Sequence, residues 1–595
     1  MNGWMGRIVT VDLGSGRQEE LPVSDEMRRR YLGGRGLGVR LYSDLCPQPP
    51  DPLAPENAIL FMAGPLTGTV MTSGRFQVVS RSPLTGTICD SSSGGSFGAA
   101  LKSAGLDGLV IRGRAERPVY LVVSHGQVEM RDAAGIWGLD TQRTQKALQE
   151  RAGAKASVAC IGPAGENRVL FAAILNDRDR AAGRGGLGAV MGAKNLKAVV
   201  AAGDRATAIA DPVGYKEMSL RLDRAVDKNP VTGKSLQVLG TSVLVNIVNA
   251  HGMFPTENFR RGVFNDAEGI SGEKIAESLL QRQSACYKCP IGCGRTTRTR
   301  NKSGEGPEYE TVWAFGAHLG VSDLSAIAEA NYACNELGLD TITMGSTIGC
   351  AMELCECGAW DAGLRWGDAG RLTGWVEDTA YVRGVGADLA LGSKRLAAKH
   401  GRPELAMQVK GMEIPAYDPR GAQGMALAYA TSSRGGCHMR AYMIMPEILG
   451  HPVFLDRFST AGKPEIVALF QDIAAVVDSL VLCRFLQFAV GISTLSEMLR
   501  TVTGLDIGDE ELLRVGRRIN TLERLYNLRA GFTRADDTLP PRFRNEEFQT
   551  GSSRHRVVRL EEMLDRYYAV RGWDPQGRPT AATLAELGLQ DGRRG

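Results

Sequence analysis

The sequence predicts an α+β chain: a β-rich base domain followed by two mainly helical domains. Three observations predict it. Short β-branched runs separated by Gly, Pro, Ser and Asn fill the first part. A 3.6-residue apolar period takes over from Asp211. A Gly/Pro-rich stretch, Gly411 to Gly424, then interrupts the helical pattern. The expected divisions are 1–208, 209–410 and 411–595. Three units suit 595 residues at about 100–200 residues per domain.

In chain order, the expected strands are Ile8–Val11, Ile59–Met62, Phe76–Val79, Leu109–Ile111, Val119–Val123, Val158–Ile161, Val169–Ile174 and Ala198–Ala201. Val119–Val123 and Gln127–Met130 flank a short loop with Gly late in it, the pattern of a hairpin. Strands do not alternate regularly with helices, which argues against a simple doubly wound sheet. Asp211-Pro212 reads as an N-cap followed by proline at the first helical position. Further amphipathic helices are expected at Ser322–Leu337, Trp375–Val382, Ser393–Lys399, Ile466–Phe488, Asp509–Leu528 and Leu560–Tyr568.

Composition excludes several classes. The formal charge is only +4 and aromatics make up 6%, so neither a nucleic-acid surface nor a base-stacking platform is expected. The chain begins MNGWMGRIVTVDLGSG, without the apolar core of a signal peptide, and no run of 18 apolar residues suggests a membrane span. A cytoplasmic location and no membrane contact are expected. Twelve cysteines are far too sparse for a disulfide scaffold.

The sharpest local signal is Cys286-Tyr-Lys-Cys289-Pro-Ile-Gly-Cys293. Three thiolates this close can wrap one metal centre, either zinc or an iron–sulfur cluster. A zinc site needs a nearby fourth ligand, and the next His is His318; a four-iron cluster with a distant fourth Cys fits better. The spacing is the reverse of Cys-x3-Cys-x2-Cys, which argues against radical S-adenosylmethionine chemistry. Cys483, in an apolar helical run, reads as core. Gly33-Gly-Arg-Gly-Leu-Gly38 and Gly183-Arg-Gly-Gly-Leu-Gly188 mix Gly with Arg, as loops that hold phosphate do. The second matches G-x-G-x-x-G but follows a charged run instead of a strand, so a dinucleotide fold is not expected. Ser91-Ser-Ser-Gly-Gly-Ser96 is a third candidate loop, with a plain turn as its alternative.

Together these segments resemble the aldehyde ferredoxin oxidoreductase family of tungsten-pterin enzymes. The resemblance runs through GRIVTVDL, YLGGRGLG, NDRDRAAGRGGLGAVMGAKNLKAVV, CYKCPIGCGR, GPEYET, NELGLDTIT, KGMEIPAYDPRG, SSRGGCHMRAY and DSLVLC, in order. It implies tungsten (or molybdenum) held by two pyranopterins, Mg2+ bridging their phosphates, and one 4Fe-4S cluster beside them. Cys286, Cys289, Cys293 and Cys483 would hold the cluster, replacing the core reading of Cys483. Arg75 would lie between cluster and pterin. Ser92, Gly94, Arg180, Ala181, Arg184, Arg434 and Arg440 would serve the phosphate and magnesium region. The pterin segments would be Asn335-Glu-Leu-Gly-Leu339-Asp340 and Asp478-Ser-Leu-Val-Leu482-Cys483.

The sequence departs from the family pattern in four places. Asn335 stands where Asp is usual, and Val481 replaces Gly, so the backbone there must take φ < 0 or accept strain. Ser92 lies where an Asn contact to magnesium is expected. Glu329-Ala-Asn-Tyr332 lacks the His of a Glu-x-x-His interface-iron motif, so no interface iron is expected.

The implied reaction oxidises an aldehyde with water to a carboxylic acid. His438 is the candidate for polarising the carbonyl or moving a proton, Glu310 for general base, and Tyr417 for orienting substrate. Pro307 suits a first helical turn, which would put Glu308 and Glu310 near its positive end with only one facing the metal. Electrons would leave to a ferredoxin or a small iron–sulfur subunit, in a homo- or hetero-oligomer. The alternatives are a benzoyl-coenzyme A reductase type catalytic subunit, a non-catalytic iron–sulfur electron-transfer subunit and a zinc-containing structural protein.

Overall fold

The computed structural model describes residues 2–153 and 155–590. The first part is built on twelve strands: β1 (Ile8–Asp12), β2 (Gln18–Glu20), β3 (Ile59–Met62), β4 (Phe76–Arg81), β5 (Ile88–Ser93), β6 (Gly108–Arg112), β7 (Val119–Ser124), β8 (Gln127–Asp132), β9 (Ser157–Cys160), β10 (Ile174–Asn176), β11 (Arg180–Ala182) and β12 (Leu196–Ala202). They form two six-stranded sheets, ordered β2-β1-β6-β3-β4-β5 and β11-β10-β9-β12-β7-β8. Each sheet has one parallel pair, β1 with β6 and β7 with β12; the other pairs are antiparallel.

Side-chain alternation sorts the faces. Ile59 and Phe61 of β3 join Leu121 and Val123 of β7 in one core shared by the two sheets. Leu60 and Met62 point the other way, into a core with the helix Gly34–Leu45. The β7–β8 hairpin has a two-residue loop, His125 (φ 51°) and Gly126 (φ 79°), as a type I′ turn requires. The strand expected at Val169–Ile174 is present only at its end. Ala172 makes an isolated bridge to Leu339 instead, because this segment is occupied in holding the helical part.

Asp211 caps the helix Pro212–Lys228 by accepting from Gly214 N. The helices at Leu324–Leu337, Leu372–Ala380, Ser393–Lys399, Asp509–Arg529 and Leu560–Arg571 also follow the apolar period. The long helix expected at Ile466–Phe488 instead runs Lys463–Leu480 and stops where Val481 turns left-handed. The helix Thr341–Glu356 was not expected: it is buried nearly all round, so it shows little amphipathic period. Val231–Ala250 passes for a membrane span by length and mean hydropathy alone, although Lys234, Ser235 and Gln237 keep it from being an unbroken apolar run. It is broken into a π turn, an α turn, a 3-10 turn and the helix Leu244–Ala250.

Two small sheets within the helical part matter for the site. Leu280–Ser284, Gly294–Arg298 and Ser303–Glu305 form an antiparallel sheet whose first turn carries Cys286, Cys289 and Cys293. Gln408–Val409 pairs with Met412–Glu413, so the division placed at Lys410-Gly411 falls on a hairpin tip. One apolar core continues across that point, with members from Leu84 to Trp573.

Candidate active site

A cavity of about 680 Å3 lies where the base domain meets the helical part. Its lining brings together Cys286, Cys289, Cys293 and Cys483, with Arg75, Gly94, Arg180, Ala181, Asn335, Leu339 and Asp340. Glu310, Tyr417 and His438 line it too. Ser92, Arg184, Arg434, Arg440, Asp478 and Leu482 do not; they stand behind the wall or in ion pairs.

The cysteine turn is docked onto the base domain through its backbone. Tyr287 N donates to Gly95 O (3.1 Å) and Thr72 N donates to Lys288 O (3.0 Å). Gly94 is a cradle for it: a Cβ there would lie 2.9 Å from Cys286 Sγ and 3.2 Å from Arg75 Nη1. Arg75 is steadied by donating from Nε to Ser92 Oγ (3.1 Å), so the Ser92 hydroxyl serves Arg75. Burial pushes the Cys289 thiol up to about 11 and raises Cys293 and Cys483 as well. Among the described residues no three His, Cys, Asp or Glu side chains converge on a single-ion site. Four sulfurs spread around one cavity suit a multi-atom cluster better than one zinc.

The Gly/Arg segments are tied into the fold around the cavity. Gly33–Gly38 is not an open loop but the start of the helix Gly34–Leu45. Gly34 lets that helix press on the chain at Asp478, whose carbonyl oxygen would sit 2.4 Å from an added Cβ. Arg35 is fully buried, and its guanidinium is taken by Glu523, with Nε–Oε1 and Nη2–Oε2 both 2.7 Å. Ser91–Ser93 belongs to strand β5 instead of a loop. Arg184 ties three elements together: Asp340 (3.3 Å), Glu413 O (2.7 Å) and Gly436 O (2.8 Å). That last bond holds the loop bearing His438. Arg434 donates to Cys437 Sγ from Nε (3.3 Å) and Nη2 (3.0 Å), and to Asp90 O. Arg440 pairs with Asp90 and with Asp478. Asp478 is further engaged by Arg484 (2.9 Å) and Arg35 (3.5 Å), so its carboxylate is fully used.

The two pterin-type segments are both helix ends. Asn335 lies in the last turn of Leu324–Leu337, and Asp340 caps Thr341–Glu356 by accepting from Ile342 N and Thr343 N. Asn335 Nδ2 donates to Glu305 O at 3.4 Å. Arg180 pairs with Glu305 beside it.

The reactive-looking groups form a tight set. Glu308 is the N-cap of the helix Tyr309–Phe315, so Pro307 lies one residue outside the helix it was expected to open. Glu308 and Glu310 both line the cavity. Glu308 accepts from Thr241 Oγ1. Glu310 Oε2 accepts from Ala416 N (2.9 Å), while Oε1 has no partner and lies 3.7 Å from His438 Nε2. Burial pushes the Glu310 carboxyl up to about 8. Burial, then Arg184 and Arg434, push the His438 imidazole down to about 3. Burial thus favours the protonated form of Glu310 and the neutral form of His438. Tyr417 Oη and Tyr442 Oη are 2.9 Å apart, and Tyr309, Tyr417 and Tyr442 surround the pair. Tyr309 and Tyr442 were not anticipated as site residues, although both lie inside quoted segments, GPEYET and SSRGGCHMRAY.

Glu329 and Tyr332 both have partners within the chain: Glu329 Oε1 accepts from Thr299 Oγ1 (2.7 Å), and Tyr332 Oη meets Thr297 Oγ1 (2.6 Å).

Comparison with known proteins decides the family. The model for the aldehyde ferredoxin oxidoreductase N-terminal domain matches residues 8–203, and that for domains 2 and 3 matches residues 217–589. The chain belongs to the aldehyde ferredoxin oxidoreductase family. A tungsten-containing aldehyde ferredoxin oxidoreductase of Pyrococcus furiosus is 46% identical over 99% of this chain and 100% of that one. The enzyme so named from Thermococcus kodakarensis is 45% identical over the same shares. A WOR-like subunit of an aliphatic sulfonate oxidoreductase from Pyrococcus furiosus is 30% identical, covering 100% and 98%. Among solved structures, the active-site complex BamBC of benzoyl-coenzyme A reductase with 1,5-dienoyl-CoA superposes with TM-score 0.87. It is 24% identical and covers 99% of this chain and 97% of that one, a likeness of fold. The aldehyde ferredoxin oxidoreductase fold is thus an α+β architecture with the sheets first. This chain is an oxidoreductase of that family.

Proposed function

We propose that the chain oxidises aldehydes to carboxylic acids with water, using tungsten or molybdenum on two pyranopterins. Its domains would be 1–208, 209–410 and 411–595, in a cytoplasmic enzyme. The observation that carries the reading is the Glu310–His438 pair, set 3.7 Å apart in a tyrosine box on the same cavity as four cysteines. The residues fit the cofactors: the Gly94 cradle leaves room beside Cys286, and Glu310 Oε1 and His438 Nδ1 are buried without partners. Cys286, Cys289, Cys293 and Cys483 would hold one 4Fe-4S cluster. Asn335, Leu339, Asp340 and Ala181 would face the pterins, with Mg2+ at their phosphates. The bound metal would take the two electrons of the oxidation, and the cluster would pass them on singly.

The chain's own contribution is to position the carbonyl and move protons. Glu310 Oε2 is fixed by Ala416 N while the buried Oε1 has no partner, so one oxygen would exchange a proton and the other holds the side chain still. Protonated, Glu310 donates to a developing oxyanion; deprotonated, it accepts a proton from attacking water. His438 would supply a neutral ring nitrogen beside Glu310. Tyr417, coupled to Tyr442, orients the substrate. Electrons would leave to a ferredoxin or a small iron–sulfur subunit near the cysteine turn, where Tyr287 is exposed.

The test is metal analysis and turnover together. Anaerobically purified protein from a cofactor-competent host should carry about one tungsten or molybdenum and about four irons per chain. It should reduce a viologen dye with aldehydes and not act on benzoyl-coenzyme A. Zinc alone, with no aldehyde turnover, would overturn the reading.

A further inference from the structure

One wall of the cavity differs from the rest. It is built from cavity-lining residues of segments 445–452, 470–473 and 487–495, among them Met445, Phe470, Ile473, Phe488 and Leu495. It reaches the surface at Pro452, next to the exposed Val453 (59%) and Phe454 (67%). Gln487 and His451 are its two polar side chains. Gln487 Oε1 accepts from Arg484 Nη1 (3.3 Å), which fixes that side chain beside Arg484, while its Nε2 makes no hydrogen bond within the described residues. Arg484 also borders the cavity, but Asp478 holds it through two bonds, Nε–Oδ1 (3.2 Å) and Nη2–Oδ2 (2.9 Å). The His451 ring makes no hydrogen bond within the described residues. Its backbone N donates to Met445 O (2.9 Å), and its ring packs 5.9 Å from Phe488.

We propose that His451 is a product-binding residue: its ring N–H receives the departing carboxylate on this otherwise apolar wall and positions an incoming acid in the reverse direction. The inference rests on the aldehyde-oxidising reading. An aldehyde is neutral and crosses an apolar wall without losing a charge's hydration. Its product is an anion at neutral pH, since carboxylic acids ionise near pH 4. Bringing that anion past Met445, Phe470 and Phe488 strips water from it, which is costly unless a donor replaces the lost bonds. A ring N–H to a carboxylate oxygen is a charge-assisted bond and needs no net charge on the imidazole. No covalent bond changes in this step. His451 therefore distinguishes product from substrate, whereas Glu310 and His438 face the reacting atoms.

The experiment uses the metal-loaded holoenzyme with benzaldehyde and benzoate as probes. His451→Phe keeps the ring against Phe488 and removes the N–H; His451→Asn keeps a donor. Loss of a hydrogen bond to a charged group should raise the benzoate inhibition constant about tenfold in His451→Phe. Its kcat/KM for benzaldehyde should stay unchanged, and His451→Asn should recover most of the benzoate affinity. Ligand-observed NMR of benzoate binding should show the same order without turnover. An unchanged benzoate constant in His451→Phe overturns the proposal, as does a parallel loss for aldehyde and acid. A wild-type enzyme that fails to oxidise benzaldehyde refutes the activity reading alone, because benzoate binding still reports on His451.

Discussion

Gly338 and Val481 hold the same position in two successive copies of one backbone device. Gly338 ends the helix Leu324–Leu337 in the left-handed region (φ 81°, ψ 51°), and Val481 ends Lys463–Leu480 there too (φ 62°, ψ 48°). A leucine follows each, then the residue that caps the next helix: Asp340 (φ −70°, ψ 115°) or Cys483 (φ −72°, ψ 136°). The two pterin-type segments are thus congruent in backbone although one carries glycine and the other a β-branched residue.

Val481 accepts strain instead of avoiding it. A left-handed non-glycine residue costs about 1–2 kcal/mol, while a buried valine contributes about 1.5–3 kcal/mol. Val481→Gly should therefore destabilise by only about 1 kcal/mol, since relief of strain offsets most of the lost burial. Gly338→Val should cost more, because even a Cβ there meets Gly162 N at 3.0 Å. Thermal midpoints at one scan rate check this; a Gly338→Val protein as stable as Val481→Gly would contradict it.

Glu310 sets a pH dependence. Its carboxyl is pushed up by burial to about 8, so the base form grows as pH rises through 8. Aldehyde oxidation, if it uses the base, should increase across that window, and acid reduction, which needs the held proton, should fall. Glu310→Gln should lower kcat by roughly 10²- to 10⁴-fold with metal and iron content intact. A pH–rate profile flat from 6 to about 9 in both directions would remove Glu310 from the proton steps.

Gly94 should be intolerant for a local reason. Gly94→Ala places a methyl group 2.9 Å from Cys286 Sγ. The expected result is a folded protein with less bound iron, read by iron and sulfide assay alongside circular dichroism. Full iron content would show that the turn yields to the methyl group.

Arg35 is a buried hub between the base domain and the third part of the chain. Arg35→Met leaves Glu523 and Asp478 without their shared cation, and breaking a buried pair from one side costs about 3–5 kcal/mol. Soluble yield and thermal midpoint should both drop. The double variant Arg35→Met, Glu523→Leu should recover part of the loss.

Strands β1, β3, β4, β6, β7 and β12 were legible as β-branched runs bounded by turn residues, even where both faces are buried, and the helix Pro212–Lys228 by its apolar period. Thr341–Glu356 was illegible because both its sides are covered. The glycines of Gly33–Gly38 were misread because close helix packing and phosphate binding call for the same residue. The cysteine turn and the Glu310, His438 and Tyr417 segments stood out as motifs. Their packing did not: Tyr309 and Tyr417, about a hundred residues apart in the chain, meet beside His438 only in the fold.

The small sheet Leu280–Arg298 presents three cysteines on one turn, while Cys483 arrives from a helix end far along the chain. On the proposed ligand set, no cluster can be completed until Lys463–Leu480 has docked against Gly34–Leu45. A chain in which the two parts lie apart would offer a cluster three sulfurs and leave its fourth iron open, so the last thiolate would tie the cofactor's coordination to the packing of segments about 190 residues apart.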